Sequence, residues 1–343
     1  MSKLDIRSMD LSEIKEFLKS LNQPSYRAEQ IYTWLQSGVE SFEEMTNIPK
    51  SLREILSRKT YIATVSVERK LISKIDGTVK YLYRLFDGEY IESVLMKYKH
   101  GYTVCISTQV GCRMGCSFCA SGLNGLSRNL TASEMLAQVF FAGKDNNVRI
   151  SNVVMMGMGE PLDNFDNSVK FLKLVTEEKG LGIGLRHISL STSGVVPGIY
   201  KLAELNMPIT LSVSLHASND KIRSSIMKVN RKWGIDELLK ACRYYYSATG
   251  RRISFEYALI SGVNDKMENA DELVGRLKGI MSHVNLIPAN PVEENDFKRT
   301  DEDSVRRFAD RLNQRGLTAT VRRTLGADIN ASCGQLRRKA KEE

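Results

Sequence analysis

Apolar positions along the chain change their period twice. Over the first sixty or so residues they recur at helical spacing, in Asp10-Leu-Ser-Glu-Ile-Lys-Glu-Phe-Leu18 and again from Tyr26 to Leu35. Short helices are therefore expected, and Asn47-Ile-Pro49 breaks the pattern before a third helix from Lys50 to Ser57. From Thr64 to Met96 the runs become β-rich. Tyr81-Leu-Tyr-Arg-Leu-Phe86 and Tyr90-Ile-Glu-Ser-Val-Leu95 flank Asp87-Gly88, which predicts a hairpin. From Thr103 onward short apolar runs alternate with helical stretches, the pattern of βα units that build a parallel sheet or barrel. Six main strands are expected: Thr103 to Ser107, Asn152 to Met156, His187 to Ser191, Ile209 to Leu215, Arg252 to Leu259 and Val284 to Ile287. A further strand is expected near Thr318 to Arg322. The class is α/β, divided into an N-terminal helical accessory domain (1–62), a β-hairpin extension (63–100) and a catalytic domain (101–343).

In such architectures functional groups gather in the loops that follow the C-terminal ends of the strands. The chain obeys that rule. The first strand runs into a cysteine-rich loop, the second into Gly157-Met-Gly159-Glu160-Pro161, the third into Ser191-Thr-Ser-Gly194, the fourth into Ser214-Leu215-His216, and the sixth into Pro288-Ala-Asn290-Pro291. Glycines let a ligand approach the backbone, and the Glu160 carboxylate can accept bonds from an ammonium. A bare Gly-x-Gly is equally an ordinary turn, and each Ser or Asn equally a strand-end cap.

Composition narrows the class of partner. The chain has 343 residues, enough for one large domain with an accessory domain, and 49 Lys and Arg against 40 Asp and Glu, a net charge of +9. A basic excess favours a polyanion, and pairs such as Arg58-Lys59, Arg251-Arg252 and Arg322-Arg323, with the tail Arg337-Arg-Lys-Ala-Lys341, fit phosphate contacts as well as a solvated basic face. The first residues carry charges where a secretory signal needs an apolar run, and no stretch approaches the roughly 18 apolar residues of a membrane span. A cytoplasmic protein without a membrane role is expected, monomeric by default.

Six cysteines, three of them within Cys112-Arg-Met-Gly-Cys116-Ser-Phe-Cys119, point to metal or redox chemistry rather than a disulfide framework. Three thiolates leave one coordination position open, where a structural zinc site closes with four protein ligands. The alternative is a zinc knuckle that borrows Cys105 or His216. Cys242, in the helical run Leu238-Leu-Lys-Ala-Cys242, reads as a small buried hydrophobe.

The C-x3-C-x2-C spacing with an aromatic before the last cysteine resembles the signature of radical S-adenosylmethionine (SAM) enzymes. The resemblance implies an incomplete (β/α)6 barrel and a [4Fe-4S] cluster on Cys112, Cys116 and Cys119. It further implies a SAM molecule whose amino group meets Gly159 and Glu160, with Ser191, Ser214, Leu215, His216 and Asn290 around the rest.

With Glu92, Cys105, Asn285-Leu-Ile-Pro288 and Asp328-Ile-Asn-Ala-Ser-Cys333-Gly-Gln-Leu336 added, the chain resembles the RlmN/Cfr family of RNA adenine methyltransferases from its N-terminal helices to Leu336. That resemblance implies methylation at C2 of an adenosine in the peptidyl transferase centre of 23S rRNA and of an adenosine 3' of the anticodon in tRNA. Pro161 matches the RlmN side, where C8-methylating Cfr-type enzymes have alanine. The implied chemistry uses two SAM per turnover and reduced flavodoxin or ferredoxin as electron donor. Cys333 would be methylated first and then joined through that carbon to adenine, Glu92 would accept a proton, and Cys105 would release the product by forming a transient disulfide. By itself Glu92 reads as a surface residue of a strand. The rival readings are a Cfr-like C8 enzyme, a zinc-stabilised RNA-binding protein, and a radical SAM enzyme of a small metabolite.

Overall fold

The structure, a computed structural model, describes residues 3–122, 125–288, 297–329, 331 and 336. The expected N-terminal helices are α1 (Leu11–Ser20), α2 (Tyr26–Gln36) and α3 (Lys50–Lys59). Asp10 starts α1 as half of a capping box: its side chain accepts from the Glu13 amide at 2.9 Å, and the Glu13 carboxylate accepts from the Asp10 amide at 2.8 Å. Two short strands, β1 (Leu4–Asp5) and β2 (Thr60–Tyr61), pair in parallel and close this unit. Its apolar side chains belong to the same buried core as the rest of the molecule. Buried Arg7 helps to dock it, donating to the carbonyls of Ala63 and Val39 and lying over the ring of Phe140 at 5.4 Å.

The expected hairpin is larger than the sequence suggested. Strands β3 (Ser66–Ile72), β4 (Val79–Arg84) and β5 (Tyr90–Tyr98) form an antiparallel meander, and β5 pairs onward with β6 (Gly101–Cys105). A second, unanticipated hairpin follows, β7 (Gln109–Gly111) and β8 (Leu126–Asn129), with the cysteine loop between its strands. Next come α4 (Ala132–Asp145), β9 (Ile150–Met155), α5 (Phe165–Leu174), β10 (Ile188–Thr192), α6 (Val196–Glu204), β11 (Thr210–Ser214), α7 (Asp220–Ile226), α8 (Ile235–Thr249), β12 (Ile253–Leu259), α9 (Met267–Leu277), β13 (Ser282–Pro288), α10 (Glu302–Gln314) and β14 (Ala319–Val321). The six main parallel strands are therefore β6, β9, β10, β11, β12 and β13, with β14 the further one.

All but β1, β2, β7 and β8 join one open ten-stranded sheet, in the order β14-β13-β12-β11-β10-β9-β6-β5-β4-β3. Everything from β6 to β14 runs parallel, as an incomplete barrel requires. Register and the period of two sort its faces. The helix-covered face carries Val104, Val153, Leu190, Leu211, Val213, Phe255, Tyr257 and Leu286, all fully buried. The other face lines up Thr103, Asn152, Ser191, Ser212, Ser254, Glu256 and Asn285, a polar interior for an otherwise apolar sheet. Among the described residues no helix is long and apolar enough to cross a membrane.

Candidate active site

The cysteine loop is held by backbone contacts rather than by regular structure. Cys112 donates its amide to Gly125 at 2.9 Å, Cys119 to Cys116 at 3.1 Å, and Ser117 to Ile226 at the end of α7 at 2.9 Å. Met114, Cys116 and Phe118 pack on Ile226, Met227 and Val229, and the Phe118 ring meets His216 edge-on at 4.9 Å. Burial pushes the Cys112 thiol up to about 12 and raises that of Cys116, and neighbouring thiolates add to both shifts. Thiols so raised bind protons, not nucleophilic targets, until a cation pulls them into the thiolate form. Among the described residues no group of three or more His, Cys, Asp or Glu side chains is gathered as for a single metal ion. A multinuclear cluster would ask for less convergence than a single ion, and Cys112, Cys116 and Cys119 would hold it. The donor set suits it: three cysteines interacting electrostatically, no carboxylate among them, and a cavity of about 430 Å³ beside Arg113, Met114, Asp163, Val195, Lys228 and Trp233.

The glycines of Gly157-Met-Gly159 have a reason the sequence did not reveal. A Cβ on Gly157 would stand 2.6 Å from the carbonyl oxygen of Ile106, and one on Gly159, where φ is +106°, would stand 2.6 Å from the Gln109 amide nitrogen. The loop after β9 is thus pressed against the chain after β6. Gly157 donates to Ile106 O, Thr108 and Gln109 both donate to Met158 O, and the Glu160 amide donates to Gln109 Oε1 at 2.9 Å. Glu160 itself is buried. Its Oε1 accepts from the Leu162 amide at 3.1 Å, and its Oε2 from the amide and hydroxyl of Ser193 at 2.6 and 2.8 Å. Burial raises its pKa despite these bonds, and its charge reaches Cys112 and Cys116. A cation beside this carboxylate would favour its charged form.

Ser191 and Ser214 sit half-buried on the polar face, in line with Ser212 and Glu256 respectively. Leu215 is fully buried and donates its amide to Glu256 O at 3.0 Å. His216 adopts φ +54°, and its Nδ1 accepts from the Ala258 amide at 2.9 Å, so that nitrogen is not free for a metal. Burial drives the imidazole down to about 3, keeping it neutral. Asn290 and Cys333 lie outside the described residues.

Three residues missed from the sequence tie these loops together. Arg223 is fully buried and donates to Leu215 O at 3.1 Å, Asn230 Oδ1 at 2.9 Å, Ser193 O at 2.6 Å and Ser214 O at 3.1 Å, with its charge acting on Cys116. Glu256, raised by burial, accepts from Ser254 at 2.9 Å and Asn285 at 2.7 Å on the polar face. Lys80 on β4 forms an ion pair with Glu92 on β5, Nζ to Oε2 3.1 Å, with side chains 0% and 1% exposed. Glu92 is therefore not the surface strand residue its sequence suggests. A charged residue inside an apolar strand run, as in Val79-Lys80-Tyr81 and Phe255-Glu256-Tyr257, was the available signal.

Cys105 belongs to a second constellation on the same face of the sheet. It stands across from Val94 in the β5–β6 ladder, and Glu92 is the next residue along that face of β5, about 7 Å further by the rise of a strand. With Val94 and Met96 it walls a cavity of about 200 Å³ whose opposite side is the chain from Arg322 to Leu325 and Ala331. Ala331 is two residues ahead of Cys333 in sequence. The turn after β3 holds this C-terminal segment. Asp328 accepts from the Ser73 hydroxyl at 2.7 Å and the Lys74 amide at 2.8 Å, and Asp76 accepts from the Gly326 amide at 2.8 Å.

Comparison with known proteins gives the arrangement relatives. Residues 106–274 match the model of the radical SAM superfamily, and residues 4–62 that of the ribosomal RNA large subunit methyltransferase N-terminal domain. A probable dual-specificity RNA methyltransferase RlmN from Alkaliphilus oremlandii is 54% identical over 99% of this chain and 99% of its own length. A second so described, from Clostridium novyi, is 51% identical over 97% and 98%. The crystal structure of a radical SAM methyltransferase from Sphaerobacter thermophilus superposes with a TM-score of 0.92 at 45% identity, covering 97% of this chain and 98% of that one.

Proposed function

Because the chain belongs to the RlmN family of radical SAM RNA methyltransferases, we propose that it methylates C2 of an adenosine in 23S rRNA, in the peptidyl transferase centre, and of an adenosine 3' of the anticodon in tRNA. Cys112, Cys116 and Cys119 hold the [4Fe-4S] cluster. Gly159, Glu160, Ser191, Ser214, Leu215, His216 and Asn290 surround SAM, of which two are used per turnover. When bound, these groups supply the methyl carbon and the organic radical that activates it. Reduced flavodoxin or ferredoxin is the electron source, and a monomer suffices.

The observation that carries the reading is the cavity that sets Cys105 against the segment ending in Ala331. Two residues of chain span at most about 7 Å, so the segment that leads to Cys333 starts at the wall of the Cys105 cavity. Cys333 carries the methyl carbon and stays joined through it to the base. Glu92, paired with Lys80 on the face that holds Cys105, accepts the proton from the substituted carbon. Cys105 then attacks the sulfur of Cys333. Once the adduct has given up its unpaired electron, the new sulfur–sulfur bond forms as the carbon–sulfur bond breaks. The bonding pair passes to the carbon, which takes up a proton and leaves with the base as its methyl group, and an external thiol reductant returns the disulfide to two thiols. The anchored turn at Asp76 and Asp328 holds the segment that ends in Ala331 against the Cys105 cavity.

Two variants test this assignment in reconstituted protein given RNA and SAM. Cys105→Ala should trap a covalent RNA–protein adduct visible on a denaturing gel, whereas Cys333→Ala should give none. Equal, adduct-free inactivity of both would sink the two-thiol scheme.

A further inference from the structure

Beneath the Cys105 cavity lies a second one, of about 300 Å³, at the end of the barrel where β9 and β10 begin. The two adjoin, sharing Met96, Tyr98, Met156 and Arg322 as walls. We propose that this second cavity binds the nucleotide next to the target adenosine in the RNA, an inference that rests on the placement of that adenosine at Cys105.

Its chemistry fits one nucleotide. Tyr98, at the end of β5, and His100, in the β5–β6 turn, hold their rings parallel at 5.3 Å and 10°, a platform on which a further base can stack. Arg186 and Arg322 bring two guanidinium groups to the same space, no carboxylate is among its described lining residues, and the charge of Arg322 also acts on the buried Glu256. Two guanidinium groups beside an aromatic platform suit a phosphodiester and its base. Asn152 and His187 add polar groups to its wall: His187 Nδ1 and Asn152 Oδ1 stand 3.1 Å apart, and the buried Asn152 Nδ2 has no hydrogen-bond partner among the described residues. None of the cysteine-loop residues lines this cavity, so it is separate from the space beside the cluster. A polymer that places one unit at Cys105 must pass its neighbour through an adjoining space, and this cavity offers stacking and phosphate-binding groups together.

The test pairs RNA lesions with protein variants, using fluorescence anisotropy of a stem-loop RNA that carries the target adenosine. Removing the base of the 5' or the 3' neighbour, one at a time, should weaken binding to the wild-type chain about ten-fold at one of the two positions. Tyr98→Ala should bind the intact RNA about ten-fold more weakly and lose nothing further from that abasic site. His100→Ala, at an exposed ring, repeats the cycle if Tyr98→Ala folds poorly, and Arg186→Ala should lower the salt slope by about one. The proposal is overturned if neither abasic RNA loses affinity, or if the lesion costs the variants as much as it costs the wild type. A wild-type protein that binds and methylates the RNA while the cycle is additive loses only this pocket. One that neither binds nor methylates it loses the functional reading as well.

Discussion

Replacing Lys80 with methionine isolates the Lys80–Glu92 pair. Both side chains are buried and their charged atoms stand 3.1 Å apart, so the substitution fills the lysine's volume but leaves a carboxylate in the core without that counter-charge. Breaking a buried pair from one side costs about 3–5 kcal/mol, because the remaining charge keeps its desolvation penalty and loses its Coulombic partner. With a urea m-value of about 3 kcal/mol per molar, the midpoint of cluster-free protein should fall by about 1–1.7 M. Lys80→Met/Glu92→Met removes both charges and should regain most of that loss, since an apolar replacement of a whole pair is commonly neutral or better. Kinetically, Lys80→Met and Glu92→Gln should both accumulate the covalent RNA adduct, as Cys105→Ala does, because proton removal precedes release. A Lys80→Met midpoint within about 0.3 M of wild type, or a double variant no better than the single, would refute the reasoning.

Gly159→Ala should destabilise the loop after β9. Its Cβ would meet the Gln109 backbone at 2.6 Å with φ at +106°, and overpacking plus backbone strain together cost about 2–6 kcal/mol; unchanged urea stability with full iron loading would contradict this. His216 is neutral in the fold with its pKa near 3 against 6.5 unfolded, so the unfolded chain binds the extra proton between those values. Its contribution is present above pH 6.5 and disappears as pH falls towards 3, at up to about 1.4 kcal/mol per pH unit. Unfolding profiles of wild type and His216→Asn should therefore diverge across that window, and parallel profiles would refute the assignment. Asp328→Ala releases the bonds to Ser73 and Lys74, and should slow Cys105–Cys333 disulfide formation when cluster-free protein meets oxidised glutathione. An unchanged rate by peptide mass spectrometry would show that the turn does not position the segment.

The parallel strands were legible because each is a short apolar run, five of the six next to a helix, and all six lie within two residues of their expected ends. The loops after them were legible for the same topological reason. What escaped was set by long-range pairing. Nothing local says that Tyr90–Tyr98 continues through β6 into the parallel sheet, or that Lys80 and Glu92, 12 positions apart, meet in the core. The glycines of the loop after β9 were read as room for a ligand, but their immediate cause is the chain after β6 pressed against them. Arg223 looks like a surface residue of a helix until four acceptors from three loops surround it. The juxtaposition of Cys105 with the segment before Cys333 depends on Asp76 and Asp328, whose partners lie some 250 positions away.

The central claim is tested most directly by reconstituting the protein anaerobically with iron and sulfide, and incubating it with SAM, a reductant and RNA from cells lacking the modification. The digested RNA is then analysed for methylated adenosines. The account predicts a brown protein and 2-methyladenosine. An 8-methyl product would contradict the assigned position on the base, and a colourless zinc protein that forms neither would contradict the cluster and with it the radical chemistry.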